Sequence, residues 1–370
     1  MKAVAAVFTG EKEALAVDEV DLEPPKRDEV LVRLEASGIC RSDLSFVEGK
    51  WPAPLPIVLG HEGAGVIEAV GRDVGEGRVG EHVVLTFAPP CGRCRPCLEG
   101  RANICLVADA CMERGTMADG TTRWTWHGQA LYHLAFVSSF ATRIVVPAAA
   151  AIPVTSGLEL DAASLLGCGV TTGIMSVTHR AGVRPGESVA VFGCGGVGLS
   201  SIQGARLVSA HPIIAVDPLE SKRALALQLG ASNAVDPSAG EPAAAIRELT
   251  GGGVDYAFEA LGSPEVGRQA FDSVRRGGMT VLIGQPAMGV DLSLPVYDVT
   301  QYEHTVFGSN LGGANPLLAI PRLAELAVLG RIDLRAMVTH RFPLRDVNEA
   351  IKTTASGVAG RVLIDLARRQ

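Results

Sequence analysis

Basic blocks are missing from this sequence, so nothing in it tracks a phosphate backbone, and nucleic acid is not an expected partner. Charge is also scarce: Asp, Glu, Lys and Arg make up 20% of the chain, too little for a disordered polymer. The balance is acidic, with a net charge of −7. The N-terminus, MKAVAAVFTGEKEALAV, lacks the form of a signal peptide, because its apolar run stops at Gly10 with Glu11 and Lys12 behind it. No apolar run is long enough to span a bilayer, so no membrane partner is expected. These absences predict a cytoplasmic protein. Internal repeats and low-complexity segments are absent as well. A reducing compartment argues against disulfides for most of the eight cysteines. What the chain has is length and apolar mass. Its 370 residues suit two globular units, and 47% hydrophobic residues can supply a sizeable core.

The first third reads as β. EVLVRLEASGI (29–39), GAGVIEAVG (63–71) and GEHVVLTF (80–87) are β-branched runs bounded by turn residues. Gly and Pro crowd around 49–60 and 88–101 and mark loops. Residues 111–135 carry few strand or helix signals and read as a long surface lobe. TTGIMSVTHRA (171–181) reads as a helix. From 187 onward the texture alternates, with strand ESVAVFG, helix GVGLSSIQGARLVS, strand HPIIAVD, helix LESKRALALQLG, and so on through a last strand, HTVFGSN (304–310). PEVGRQAFDSVRRGG reads as one of the helices. Such alternation predicts an α/β unit with a doubly wound parallel sheet. The tail, GRVLIDLARR, reads as a strand.

CGRCRPCLEGRANIC (91–105) spaces Cys91, Cys94, Cys97 and Cys105 as C-x2-C-x2-C-x7-C. Four thiolates on a Gly/Pro-rich loop can wrap one tetrahedral zinc ion and leave no open position for substrate. An iron–sulfur site would want a shorter last gap followed by Pro, whereas Leu106 follows here. Structural zinc is therefore the favoured reading over iron–sulfur, disulfides or free thiols.

Away from that loop, SGICRSD (37–43), GHEGAG (60–65) and GCGVTTG (167–173) each offer one good ligand: Cys40, His61 and Cys168. Two thiolates and an imidazole, with the fourth position open, would make a catalytic zinc site. Taken singly, Cys168 could be a small core residue and His61 a satisfied loop histidine. Sequence spacing alone cannot join them.

GCGGVG (193–198) fits G-x-G-x-x-G between a strand and a helix. Gly193 makes the turn, Gly195 lets the backbone approach a pyrophosphate, and Gly198 lets helix and strand pack closely. Asp217 ends the next strand about 20 residues further on, where a carboxylate bonds the ribose hydroxyls of NAD and repels the 2′-phosphate of NADP. A helix-capping role before Leu219 is the other reading of Asp217.

With these motifs in this order, the sequence resembles the zinc-dependent medium-chain alcohol dehydrogenases along nearly its whole length. RGTMADGTTRWTWHG (114–128) further resembles the liver-type and glutathione-dependent formaldehyde branch, and an actinobacterial branch acting on aromatic and terpenoid alcohols. The resemblance implies a GroES-like catalytic domain, 1–169 and 310–370, with a Rossmann domain, 170–309, inserted in it. It implies two zinc ions per chain, NAD, a homodimer, and a site in the cleft between the domains. Cys40, His61 and Cys168 would hold catalytic zinc, with Glu62 behind it and Ser42 on the substrate oxygen. Arg41 and Arg361 would lie near the pyrophosphate and Lys222 near the adenosine ribose. Gly196, Val197 and Ile283 would also face the cofactor. Trp51, Phe87, Ala110 and Leu134 would line a large apolar pocket. Ser45 stands where the liver-type pattern has the histidine that ends a proton relay. Trp51 and Asp109 replace an acidic and a basic residue of the glutathione-dependent branch. The expected activity is interconversion of a bulky primary alcohol, aromatic, allylic or terpenoid, with its aldehyde. Reduction of an imine, iminium or enal, and oxidation of an S-(hydroxymethyl)thiol, are the alternatives. A nucleotide-binding protein without turnover is a third class, against which the open ligand set argues. Cys111 and Cys194 are given no role.

Overall fold

The computed structural model describes residues 1–10 and 13–367. The chain divides into two compact units, Met1–Cys168 with Ala314–Gln370, and Gly169–Gly313. The first crossing thus falls after Cys168. Gly169 already belongs to the helix Gly169–Met175, which packs against Gly196–Leu207 of the second unit. The return falls after Gly313, because Gly312 lies close against Met175.

The first unit is β-rich. Glu29–Ile39 is its central strand, nearly all buried, and pairs antiparallel with Glu62–Val70, Arg143–Pro147 and Arg361–Asp365. The C-terminal segment is thereby an interior strand of a seven-stranded sheet, counted over the described residues. Lys2–Phe8, Ala16–Leu22, Trp124–Trp126, Gln129–His133 and Ile57–Val58 close a small barrel. Its core is filled by Val7, Phe8, Leu22, Val58, Trp124, Leu131 and Phe140.

The barrel corrects the expectation for residues 111–135. The helix Leu106–Arg114 and two strands occupy that stretch, and Trp124, Leu131 and His133 are buried. The strands are only three and five residues long, and their alternation is broken by a turn at His127–Gly128. A run that short carries little periodicity. Besides Trp124 and Leu131 in the core, buried polar contacts hold the segment. The buried Arg123 guanidinium pairs with Glu29, with Nη2 also 2.9 Å from Asp119.

The second unit is a six-stranded parallel sheet in the order Asn233–Val235, Ile213–Val216, Val189–Phe192, Val254–Glu259, Val274–Leu282, Thr305–Gly308. Counted within the unit this is 3-2-1-4-5-6, the doubly wound order. Val189–Phe192 and Ile213–Val216 are buried at every position, as strands covered on both faces must be. One boundary differs from the sequence reading. The helix Pro264–Asp272 stops before Ser273, and Val274 opens the next strand, so VRRGG belongs to that strand, with an irregularity in its register where Gly277 has φ +70°. Among the described residues no single helix is long and apolar enough to cross a membrane.

Candidate active site and nucleotide loop

Cys40 follows the central strand Glu29–Ile39 and sits at the N-cap of the short helix Arg41–Val47. His61 immediately precedes the strand Glu62–Val70, at a turn where Gly60 has φ +87° against Phe140 and Ser139. Cys168 ends the 3-10 turn Ser164–Gly167. The fold brings these three separate segments together. Ligand atoms of Cys40, His61, Cys168 and Glu62 all lie within 4.8 Å of one another, and all four residues are buried.

The protonation chemistry fits a cation. Cys168 beside it holds the Cys40 thiol well below the ordinary range, while the Cys168 thiol is pushed well above it by Cys40 and by burial. Two buried thiols sharing one proton are what a divalent ion would relieve, since it stabilises both thiolates. Burial opposes charge on His61, but Asp43, bonded to its Nδ1 at 3.1 Å, and the Cys40 thiolate outweigh burial and raise its pKa. With Nδ1 engaged, Nε2 is the nitrogen left for a metal.

Asp43 was not singled out in the sequence, yet it organises the site. One oxygen takes the Gly60 amide at 3.1 Å and His61 Nδ1, and the other takes the Cys40 amide at 2.9 Å. One fully buried carboxylate thus ties together two of the three ligand segments. A signal existed: an acid three residues into a helix, reaching back to the N-cap, is a capping-box pattern, disguised here because the cap residue is Cys40 instead of Ser or Thr.

Behind the cluster Glu62, 0% exposed, takes a hydrogen bond from Arg361 Nη2. Burial works against the guanidinium charge, but Glu62 and then the two thiolates hold it charged. Arg361, which the resemblance put near a pyrophosphate, is therefore engaged with Glu62 within the first unit. Gly38 leaves the room, since a Cβ there would lie 2.1 Å from Glu62 Oε2.

Ser42 Oγ lies 3.6 Å from Cys40 Sγ. Arg41 is exposed, with Nη2 3.3 Å from Glu48. Ser45 is buried and donates to the Arg41 carbonyl at 3.4 Å. Phe87 meets His61 edge-on, with ring centroids 5.7 Å apart. Trp51 packs edge-on against Phe46 at 5.5 Å. Leu134 is buried in the core of the first unit, and Ala110 lies on the helix Leu106–Arg114.

Cys91, Cys94, Cys97 and Cys105 form the second cluster, again within 4.8 Å of one another. The Cys91 amide points at Cys105 Sγ (3.4 Å) and the Cys94 amide at Cys91 Sγ (3.3 Å), bonds that favour thiolates. None of the eight cysteines is in a disulfide. Cys111 is buried beside this cluster with Arg114 Nη2 at 3.4 Å from its sulfur.

In the second unit the glycine loop behaves as its spacing demands. Gly193 has φ +91°, a Cβ on Gly195 would meet nothing within 4 Å, and a Cβ on Gly198 would lie 1.8 Å from the Gly193 carbonyl. Turn, open approach and close packing are thus all present, so the loop fits a dinucleotide. The loop leads into the helix Gly196–Leu207 at the switch between the first and fourth strands of the sheet. Asp217 accepts the Cys194 amide at Oδ2 and the Leu219 amide at Oδ1, each 2.9 Å away. Lys222 is buried close by, and Ile283 directly follows the strand Val274–Leu282, 7% exposed. Cys194 is 0% exposed, and burial pushes its thiol up to about 12, so it is inert at neutral pH.

One chain that carries a doubly wound unit with a glycine loop and a β-rich unit with one thiol–imidazole and one four-thiol cluster has the parts of a zinc-dependent oxidoreductase. Comparison with known proteins gives the family. Residues 26–156 match the alcohol dehydrogenase GroES-like domain, and 196–326 match the zinc-binding dehydrogenase family. An S-(hydroxymethyl)glutathione dehydrogenase of Synechocystis is 38% identical over 98% of this chain and 100% of its own length. An alcohol dehydrogenase zinc-binding domain protein of Burkholderia ambifaria has a crystal structure that superposes with TM-score 0.95 at 37% identity, covering 100% of both chains. The crystal structure of benzyl alcohol dehydrogenase from Acinetobacter calcoaceticus gives TM-score 0.94 at 33% identity over 99% of each chain. The chain belongs to the zinc-binding medium-chain alcohol dehydrogenases.

Proposed function

We propose that this enzyme interconverts a bulky primary alcohol, aromatic, allylic or terpenoid, and its aldehyde with NAD(H). The observation that carries the substrate class is the aromatic ring of Phe87 at the metal cluster, with Trp51 read as a further wall. Phe87 stands edge-on to His61, and Trp51 backs onto Phe46 nearby in sequence. Trp51 and Asp109 stand where the glutathione-dependent branch has an acid and a base, so the charges that would hold a glutathione adduct are missing. The benzyl alcohol relative points the same way; the S-(hydroxymethyl)glutathione relatives favour the other alcohol reading.

Cys40, His61 and Cys168 would hold the catalytic zinc and Cys91, Cys94, Cys97 and Cys105 the structural one. Bound at the first site, zinc supplies Lewis acidity that lowers the pKa of an alcohol toward neutrality. NAD, on the glycine loop with Asp217 at its ribose, supplies the hydride acceptor. Asp43 keeps His61 in the tautomer that presents Nε2. Ser42, beside Cys40, would hydrogen-bond the substrate oxygen and begin the proton relay, taking that proton as its own hydroxyl proton passes on. Phe87 keeps water from the reacting carbon. The proton then leaves through solvent, because the Ser45 hydroxyl donates to a carbonyl and is no base near neutral pH.

Ser45 also supports a second reading, reduction of an iminium, in which hydride reaches carbon and no oxygen proton moves. A panel of benzyl, allylic and terpenoid alcohols, S-(hydroxymethyl)glutathione and an iminium, followed at the NADH absorbance, tests the assignment. Highest kcat/KM on a bulky alcohol is expected. Ser45→His should then speed alcohol oxidation near pH 7, because imidazole takes the released proton. Turnover of the iminium alone, with no gain in Ser45→His, would reject the alcohol reading. Preference for S-(hydroxymethyl)glutathione would return the enzyme to the formaldehyde branch. We further propose a homodimer joined through the nucleotide units.

A further inference from the structure

Arg223 stands one residue past Lys222 on the helix Glu220–Leu229, and neither the glycine loop nor the ribose carboxylate accounts for it. Its Nη1 donates to the carbonyls of Asp217 and Pro218, each at 2.8 Å. The guanidinium is therefore pinned to the backbone of the residue that reads the ribose. The same nitrogen lies 3.1 Å from Asp236 Oδ2, with the Arg223 side chain 18% exposed. Asp236 is itself held. The Ser238 amide and hydroxyl both donate to its Oδ1, the amide at 2.9 Å. Strand register explains the meeting. Val216 pairs with Val235, so Asp217 and Asp236 leave the sheet side by side at the carboxyl ends of neighbouring strands, where such folds bind their ligands.

An arginine at this rim is the group that accommodates a 2′-phosphate in NADP-binding members of the doubly wound fold. Here it is fixed within one residue of Asp217 and neutralised by a carboxylate on the far side. We propose that Arg223 and Asp236 form a masked 2′-phosphate site, so that Asp217 and Asp236 together set the preference for NAD. The inference rests on the nucleotide reading of the second unit. Asp217 excludes the phosphate directly. Asp236 excludes it by cancelling the Arg223 charge at that rim. Removing the Asp236 charge needs no movement of the chain to expose that cation, because the two carbonyls still hold Arg223 in place.

Asp236→Asn tests this, since its Oδ1 can still accept from Ser238 and the loop after the strand keeps its bonds. NADH and NADPH binding to the zinc-loaded enzyme would be measured by calorimetry, with the thermal midpoint as a check on folding. Asp236→Asn should tighten NADPH on the order of 10-fold, the size of one uncovered charge-assisted bond, while NADH changes by no more than about two-fold. Adding Arg223→Gln should abolish the gain. An unchanged NADPH/NADH ratio in Asp236→Asn, or a gain that survives Arg223→Gln, overturns the proposal while leaving the nucleotide reading intact. If the wild-type protein binds neither nucleotide, that reading falls and the proposal falls with it.

Discussion

Asp43 shows how much a metal cluster depends on residues that never touch the metal. Its two oxygens meet three groups, the Cys40 amide, the Gly60 amide and His61 Nδ1. Replacing it frees the ring to rotate and loosens two ligand segments together. Asp43→Ala is expected to weaken zinc retention at the catalytic site by about 10- to 100-fold, the usual range for a lost ligand-orienting partner. Competition with a chromophoric chelator would measure it, and a variant that keeps both zinc ions as tightly as wild type would refute the role. The ligands themselves were legible as candidates, because each sits in a glycine-flanked motif. Their meeting was not, since Cys40, His61 and Cys168 are far apart in sequence and only the sheet and the 3-10 turn bring them together. The tie between Arg361 and Glu62 was hidden for the same reason, being a contact across 299 residues.

Among the elements, the four-cysteine loop was the most legible and residues 111–135 the least. The loop declares itself by ligand spacing, which is local. Cys97→Ser leaves three thiolates at a site backed by a small apolar cluster that includes Ala108, Met117 and Phe136. Both zinc content and unfolding midpoint should fall; a stable variant short of one zinc would contradict a structural role. The strands Trp124–Trp126 and Gln129–His133 hid because polar groups anchor them. Among those groups is His133, 0% exposed, with the Arg123 amide 2.9 Å from Nε2 and the Trp124 indole nitrogen 3.0 Å from Nδ1; the neutral ring accepts from one of them at a time. Burial, then the Arg123 charge, lowers its pKa to about 3. An unfolded histidine takes up its proton near pH 6.5, so this group's contribution is complete above that pH and is lost as pH falls toward the folded value. About 2 kcal/mol should go between pH 6.5 and 5. Denaturant unfolding at pH 7.5 and 5 should show wild type losing more stability than His133→Gln, and equal losses would exclude His133 as the cause.

At the scale of the molecule, alternation of strands and helices made the second unit readable, and the β-rich texture marked the first. The crossings after Cys168 and Gly313 were approached to within a few residues. They resist finer reading because a helix that leaves one unit and packs in the other carries no compositional break. The strand Thr305–Gly308 ends the parallel sheet, and the neighbouring helix exposes Val296 (74%) and Tyr297 (68%). An unpaired edge flanked by apolar side chains is a liability in a monomer, and a two-fold mate would cover it. The proposed dimer should sediment as one species at micromolar concentration, and Tyr297→Glu should shift it toward monomer. A wild-type monomer would reject the pairing.

Asp217 grips the phosphate loop at Cys194 with one oxygen and the next helix at Leu219 with the other. A lineage changing coenzyme could not discard it cheaply, because the substitution that admits a phosphate also slackens the loop meant to hold it. Asp236 carries no such double duty toward the loop. If Asp217 and Asp236 read the coenzyme as proposed, descent toward NADP would begin at Asp236, with Asp217 among the last residues to go.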